Sequence, residues 1–416
     1  MDSIWKIARK KEMHYTLLTL LASGVNYVTM ILYGRMMDVE GYARVTTTQS
    51  FLANYTVFIM PVGILLCREI AENKRENRAE RTGELLSLAL VVAVVSCVVP
   101  LCFRTLIMRY LDQQTMAELL VLVACIATYC AFYVLRGATQ GKQFFLALGI
   151  AELLLYGVKL PVSLVLIRGG AGVFGCMAGI AVAQTAAAVF MLMKHGLRNG
   201  RLSGAGFSRL TEGTFLSAYV HILLVQITLS LLMNNGEILL ANFYCEKKEI
   251  GLYMVAAQLS KIIFYVISIM GTVLLPKVAA SNDNPGRQRA LLGKTFALAA
   301  AAAVLYGIAL LVVRGPLIAL LYGEEYAGAG RYVFPALAYA VCLSAFFLYN
   351  QYLMATDRQN RPAIIMLFAT AAAVAAVLLL KPDMYRIPWF FTGLVVSVLL
   401  LSMLLSSGDG DGKKAQ

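Results

Sequence analysis

Apolar stretches of about twenty residues recur roughly a dozen times along this chain, and a stretch of that length spans the hydrocarbon of a bilayer as a helix. Hydrophobic residues make up 60% and charged residues 14% of the 416 residues. Soluble domains carry roughly a quarter charged residues. The sequence therefore predicts an all-α membrane protein with about twelve transmembrane helices. The predicted spans lie near residues 14–34, 46–67, 84–103, 116–135, 144–167, 172–193, 215–243, 251–275, 291–313, 331–353, 362–380 and 388–405.

Lys and Arg lie mainly in the connections on one side of these spans. Two of these loops are especially cationic, one from Arg68 to Arg81 and one from Lys194 to Arg209. Because cations in short loops stay on the cytoplasmic side, both termini are predicted to be cytoplasmic. The net charge of +13 is then explained by topology, and no nucleic-acid partner is needed.

Three pairs of short segments resemble each other at a spacing near half the chain. They begin at Ile31 and Ile238, at Ala138 and Ala355, and at Leu106 and Leu317. Each half holds six predicted spans, so both halves enter the membrane from the same side as parallel repeats. The sequence predicts an N-terminal lobe over 1–193, a cytoplasmic linker over 194–210 and a C-terminal lobe over 211–416. Two such lobes suit alternating access, with a substrate site between them near mid-membrane.

Polar residues inside the predicted spans are the candidate site residues, because they are costly in hydrocarbon. Helical spacing of three and four places them on three polar stripes. The stripes are Glu152, Tyr156, Lys159 and Ser163; Gln226, Ser230, Asn234 and Glu237; and Gln258, Lys261 and Tyr265. Asn235 falls on another face, and Gly236 is predicted to loosen the helix or to admit a neighbour closely.

The buried charges have two interpretations that the sequence leaves open. Glu237 and Lys261 reach similar depths on neighbouring spans, so a salt bridge between them is feasible. Glu152 and Lys159 could likewise form a structural pair. Alternatively, these groups line a wet cavity and bind substrate. The predicted substrate-binding residues are Lys159, Lys261, Glu152, Glu237, Asn234, Gln258 and Gln226.

Motifs for catalysis, metals or cofactors are not found in the sequence. The eight cysteines form no CxxC pair, and the three histidines lie far apart. Asp38 to Glu40, "DVE", superficially resembles acidic motifs of membrane glycosyltransferases, but every predicted outer connection is short. We therefore predict no enzyme, no metal site and no cofactor.

Three segments resemble the polysaccharide transporter, or repeat-unit flippase, family of the multidrug/oligosaccharidyl-lipid/polysaccharide (MOP) exporter superfamily. "PLIALLYGEEYAG" from Pro316 is similar to the family pattern after span nine. "NNGEILLANFYCEKKEIGLYMVAAQL" from Asn234 is similar to a pattern in which Glu237 stands where Asp is usual. "GRMMDVEGYARV" from Gly34 is similar to the version in the first lobe. The resemblance implies a MATE-like fold of two six-helix lobes.

The resemblance also implies a function. Members of the family are thought to move undecaprenyl-diphosphate-linked oligosaccharides across the bacterial cytoplasmic membrane by alternating access. A diphosphate needs cations, which Lys159 and Lys261 could supply. Glu237 and Glu152 would hold these lysines in the absence of substrate, or take up H⁺ or Na⁺ as a coupling ion.

Several alternatives stay open at the sequence level. They are an ion-coupled multidrug exporter of the same superfamily, a flippase for a peptidoglycan or teichoic-type precursor, and a non-transporting scaffold of a glycan-assembly complex. The expected partners are a lipid-linked saccharide, membrane lipids and glycan-assembly proteins.

Overall fold

A computed structural model of the chain describes residues 2–71, 78–195, 213–279, 281, 284–356 and 360–408. Every element assigned among them is a helix, so the predicted all-α fold is confirmed. The first helices are α1 (Asp2–Met36), α2 (Val39–Tyr55), a 3₁₀ segment (Thr56–Ile59), α3 (Met60–Ala71), α4 (Arg78–Cys102), α5 (Arg104–Leu111), α6 (Met116–Gly141), α7 (Phe145–Arg168) and α8 (Gly172–His195). The others are α9 (Gly213–Met233), α10 (Gly236–Ala241), α11 (Lys247–Ser260), α12 (Ile262–Ala279), α13 (Pro285–Leu321), a 3₁₀ segment (Glu324–Tyr332), α14 (Val333–Ala355), α15 (Asn360–Leu380) and α16 (Ile387–Gly408).

Ten helical stretches within the described residues are long and apolar enough to cross a membrane. Two shorter apolar helices, Ile222–Met233 and Leu367–Leu380, coincide with predicted spans seven and eleven. The chain is therefore a multi-pass membrane protein, while the count of twelve spans stays a prediction.

The chain packs into two compact units, Met1–Ile227 and Thr228–Gln416. The division falls inside α9, so the predicted lobes and their boundaries stay a prediction. The cationic loop residues Lys74 and Arg75 and most of the predicted linker 194–210 lie outside the described residues.

In the first unit, α3 and α6 cross closely at a pair of glycines. A Cβ atom added to Gly137 would lie 2.3 Å from the carbonyl oxygen of Gly63. A non-bonded carbon needs roughly 3.5 Å from a neighbouring heavy atom, so any side chain at Gly137 would force the helices apart. This close crossing fixes the part of α6 that carries Tyr133 and Arg136.

In the second unit, the predicted continuous helix over 215–243 is wrong. The helix stops at Met233, Asn235 adopts the left-handed conformation with φ 57° and ψ 45°, and a short helix starts at Gly236. A Cβ atom at Gly236 would lie 2.3 Å from the carbonyl oxygen of Leu231. Asn tolerates positive φ better than most residues do, and glycine permits the close return of the chain. The close atom belongs to the preceding turn of the same segment, so the structure shows the predicted loosening of the helix, while the alternative of a close neighbour stays a prediction.

The helix that follows is also interrupted within the predicted span. α11 ends at Ser260, α12 begins at Ile262, and Lys261 lies between them. The backbone hydrogen bonds continue across this position, from Lys261 N to the Ala257 oxygen at 2.9 Å. Lys261 therefore lies at a small irregularity in an otherwise continuous buried helix.

An ion pair near the helix ends stabilises each unit. Arg44 on α2 pairs with Glu118 at the start of α6 at 3.1 Å. In the second unit, Arg331 pairs with Glu249 on α11 at 2.9 Å. The first pair links α2 to the first turn of α6, and the second links α11 to the 3₁₀ segment before α14.

Candidate substrate-binding site

Lys159 is a buried cation of the first unit, carried by α7 with a residual exposure of 6%. Its ammonium nitrogen donates a hydrogen bond to Asn26 Oδ1 at 3.0 Å. The same atom lies 5.7 Å from the centre of the Tyr33 ring, a distance at which the ring face attracts a cation. Among the described residues, Lys159 has no carboxylate within ion-pairing distance. The contacts given for this charge within the described ranges are with neutral groups, an amide oxygen and an aromatic ring.

Glu152, on the same helix, has a different partner. Its Oε1 atom lies 3.1 Å from Arg136 Nη2 on α6, and the Arg136 guanidinium lies 5.7 Å from the centre of the Tyr133 ring. The suggested structural pair of Glu152 with Lys159 is therefore wrong. Seven residues separate the two, which places their backbones about 10 Å apart along the helix, while Arg136 on the packed neighbour is within direct reach.

Lys261 is the corresponding buried cation of the second unit, with an exposure of 8%. Its ammonium donates to Asn235 Oδ1 and to the Met233 carbonyl oxygen at 3.3 Å. The suggested salt bridge with Glu237 is not formed within the part of the chain that the structure describes. The break at Asn235 turns two neutral oxygens towards Lys261 instead.

Glu237 is fully buried in the second unit. The Tyr253 hydroxyl donates a hydrogen bond to its Oε1 atom at 3.3 Å. The Oε2 atom is buried and accepts no hydrogen bond from the described residues. A buried carboxylate oxygen without a donor is costly.

The three predicted amides are half-buried and occupy different surroundings. Asn234 donates to Ser230 Oγ at 3.0 Å, so these two neighbours on the predicted stripe do meet. Gln258 lies on α11 and makes no hydrogen bond to Lys261 among the described contacts, and Gln226 lies on α9. Substrate binding by these amides stays a prediction.

Four residues that the sequence reasoning did not select hold the predicted charges. They are Asn26, Arg136, Asn235 and Tyr253. Asn26 is the one side-chain amide in the predicted first span, and a polar residue in that position could have been selected as a partner for a buried charge. Asn235 was placed on another face because the spacing argument assumed an unbroken helix.

The fold of this chain is similar to those of solved membrane transporters. An inward-facing multidrug resistance MATE family transporter of the MOP superfamily matches with TM-score 0.73 and 12% identity, over 94% of this chain and 96% of that chain. Lipid II flippase MurJ in an inward closed conformation matches with TM-score 0.75 and 11% identity, over 94% and 87%. A mutant of the Vibrio cholerae MATE transporter VcmN matches with TM-score 0.65 and 15% identity, over 97% and 96%. The chain has the fold of the MOP superfamily.

The family follows from the sequence comparison. The model of the family described as "Polysaccharide biosynthesis protein" matches residues 66–330, more than half of the chain. This chain belongs to that family, and the predicted relationship to the polysaccharide branch of the MOP superfamily is confirmed. The comparison with curated proteins gave no match.

Proposed function

We propose that this protein is a flippase that moves an undecaprenyl-diphosphate-linked oligosaccharide across the bacterial cytoplasmic membrane by alternating access. One observation carries the proposal. Lys159 and Lys261 are buried cations that form no ion pair among the described residues: their hydrogen bonds go to amide oxygens and a carbonyl oxygen, the Tyr33 ring lies beside Lys159, and the Glu237 carboxylate acts on Lys261 only from beyond ion-pairing distance. The family match to polysaccharide biosynthesis proteins supports a saccharide-linked cargo.

The energetics of these lysines favour an anionic ligand. Moving a single charge out of water costs several kcal/mol, and neutral hydrogen-bond partners recover only part of that cost. A structural lysine would be stabilised by a carboxylate, as Arg136 is by Glu152. A diphosphate offers several charged oxygens, and charge-assisted hydrogen bonds to them are stronger than bonds to amides. The substrate would therefore supply the missing counter-charge.

Glu237 is proposed to couple transport to an ion. Its Oε2 atom is buried without a donor among the described residues, so a proton or Na⁺ would stabilise it. Tyr253 holds the other oxygen and orients the carboxylate.

The direct test is flipping of an undecaprenyl-diphosphate-linked saccharide in proteoliposomes. Lys159→Gln and Lys261→Gln should each lower flipping by roughly ten- to a hundred-fold, the loss expected for a charge-assisted hydrogen bond of about 1.5–3 kcal/mol. Lys142→Gln is the matched control, since Lys142 is an exposed lysine of the first unit. If both variants are folded, inserted and as active as the control, the diphosphate role is wrong.

An ion-coupled multidrug exporter is the second candidate, and Glu237 is the feature that favours it. A buried carboxylate suits a cationic drug as well as a coupling ion. Drug efflux from a sensitised strain separates the two, because Glu237→Gln should abolish efflux while Lys159→Gln should spare it. A flippase for another lipid-linked precursor would also lose activity in Lys159→Gln and Lys261→Gln, but with a different cargo.

A further inference from the structure

A pocket at one end of the first unit is not used by the proposed function. It encloses about 330 Å³ between the start of α7 and the end of α8. Phe145, Leu146, Ile150 and Phe190 form its apolar wall, and Lys194 lies at its rim. Phe145 is fourteen residues from Lys159, which is about 21 Å along the helix. The pocket is therefore separate from the candidate substrate site.

The pocket lies where two candidate membrane spans end. Phe145 is the first residue of the span Phe145–Arg168, and Lys194 is the last residue of the span Gly172–Lys194. The apolar wall therefore lies at the edge of the hydrocarbon, and the lysine lies at the depth of the lipid headgroups. Lys194 is exposed, and no ion pair of this lysine is found among the described residues.

We propose that this pocket binds one anionic phospholipid of the bilayer, with an acyl chain against Ile150 and Phe190 and the headgroup phosphate on Lys194. An indentation of this size in a lipid-facing surface loses its van der Waals contacts unless hydrocarbon fills it. Ile150 and Phe190 lie about 7.5 Å and 6 Å deeper along their helices than Phe145 and Lys194. The deeper apolar wall and the shallower cation therefore match the order of acyl chain and phosphate in a phospholipid. Lys194 is on the side predicted to be cytoplasmic, where anionic lipids attract basic residues.

The start of α7 adds to this complementarity. Phe144 precedes the helix and makes no side-chain cap, so the first N–H groups of α7 carry partial positive charge at the pocket. Gln143, also in the pocket lining, brings an amide donor to the same end. These groups suit the oxygens of a phosphate or a glycerol.

The experiment uses the full chain in nanodiscs of equal parts phosphatidylglycerol and phosphatidylcholine. A trace of phosphatidylglycerol carries a photoreactive diazirine in its acyl chain. Crosslinks should map to the first turns of α7 and the last turns of α8. Lys194→Gln should lower them about five-fold, as expected for one basic residue at a membrane surface, and Lys194→Arg should retain them.

Two further variants separate the proposal from general surface effects. Lys142→Gln removes an exposed lysine beside the pocket that does not line it and should leave the crosslinks unchanged. Leu146→Trp should lower them by filling the apolar part. Crosslinks spread evenly over the lipid-facing helices, or an equal loss in Lys142→Gln and Lys194→Gln, would overturn the proposal. Displacement by equimolar undecaprenyl phosphate would also overturn it, by assigning the pocket to a prenyl lipid.

Discussion

Two substitutions at Asn235 should rank in opposite order when protein stability and transport activity are measured. Its Oδ1 atom accepts a hydrogen bond from the Lys261 ammonium, and its backbone is left-handed. Asp and Gly both tolerate that conformation. Asn235→Asp therefore adds a carboxylate next to Lys261, while Asn235→Gly removes the side chain without straining the turn.

The expected magnitudes follow from these contacts. Loss of a hydrogen bond to a charged group lowers the free energy of unfolding by about 1.5–3 kcal/mol, which is the expectation for Asn235→Gly. In Asn235→Asp, the new ion pair gains up to about 4 kcal/mol at an effective dielectric constant near 20. Desolvation of the added carboxylate offsets that gain by several kcal/mol. The net change in unfolding free energy should therefore be smaller than in Asn235→Gly.

The flipping rate should be lower in Asn235→Asp than in Asn235→Gly, the reverse of the order expected for stability. The Asp variant neutralises the Lys261 charge that the substrate is proposed to use, so flipping should fall roughly ten- to a hundred-fold. The Gly variant leaves that charge in place, with the Met233 carbonyl as its remaining partner. Its flipping should therefore exceed that of the Asp variant, although it is the less stable protein.

Unfolding in detergent and flipping in proteoliposomes are measured on the same preparations. Asn54→Asp is the control, because it adds the same charge at a half-buried amide of α2 outside the candidate site, whose side chain bonds the Ser50 carbonyl oxygen. Wild-type flipping by a folded Asn235→Asp protein would refute the reasoning, since a neutralised Lys261 would then have no effect on transport.

Two other predictions concern the fold and a thiol. Gly137→Ala should lower the free energy of unfolding by about 1–3 kcal/mol, because its Cβ would lie 2.3 Å from the Gly63 carbonyl oxygen. The control Gly157→Ala, with no atom within 4 Å of its Cβ, should not lower it. Equal thermal unfolding temperatures for the two variants would contradict the first prediction. Burial and the nearby Glu249 carboxylate raise the pKa of the Cys245 thiol to about 12. In a variant whose other cysteines are alanine, alkylation by iodoacetamide should therefore be slow at pH 7 and accelerate about ten-fold per unit up to pH 9, because the thiolate is the reactive form. A labelling rate equal to that of the unfolded chain at pH 7 would contradict the second prediction.

The membrane fold could be predicted from the sequence because its cause is local. In hydrocarbon, each backbone N–H and C=O must be satisfied within its own segment, so a long apolar stretch becomes a helix whatever surrounds it. The same applies to Gly236, whose position beside two amides already indicated a helix irregularity. The family resemblance was also local, since it lay in short motifs around Gly251 and Gly323.

The partners of the buried charges depended on contacts between helices. Spacing along one helix suggested Glu152 with Lys159, yet α6 brings Arg136 to Glu152 and α1 brings Asn26 to Lys159. No periodicity in one segment encodes which neighbouring helix packs against it.

The sequence by itself determined that this chain is a helical membrane protein with costly polar residues inside its spans. Only the tertiary structure decided that Lys261 is held by Asn235 and Met233, with Glu237 on Tyr253 instead. The physical reason is that one left-handed residue at Asn235 ends a helix and reorients every side chain after it. Helical spacing holds only while the helix is unbroken.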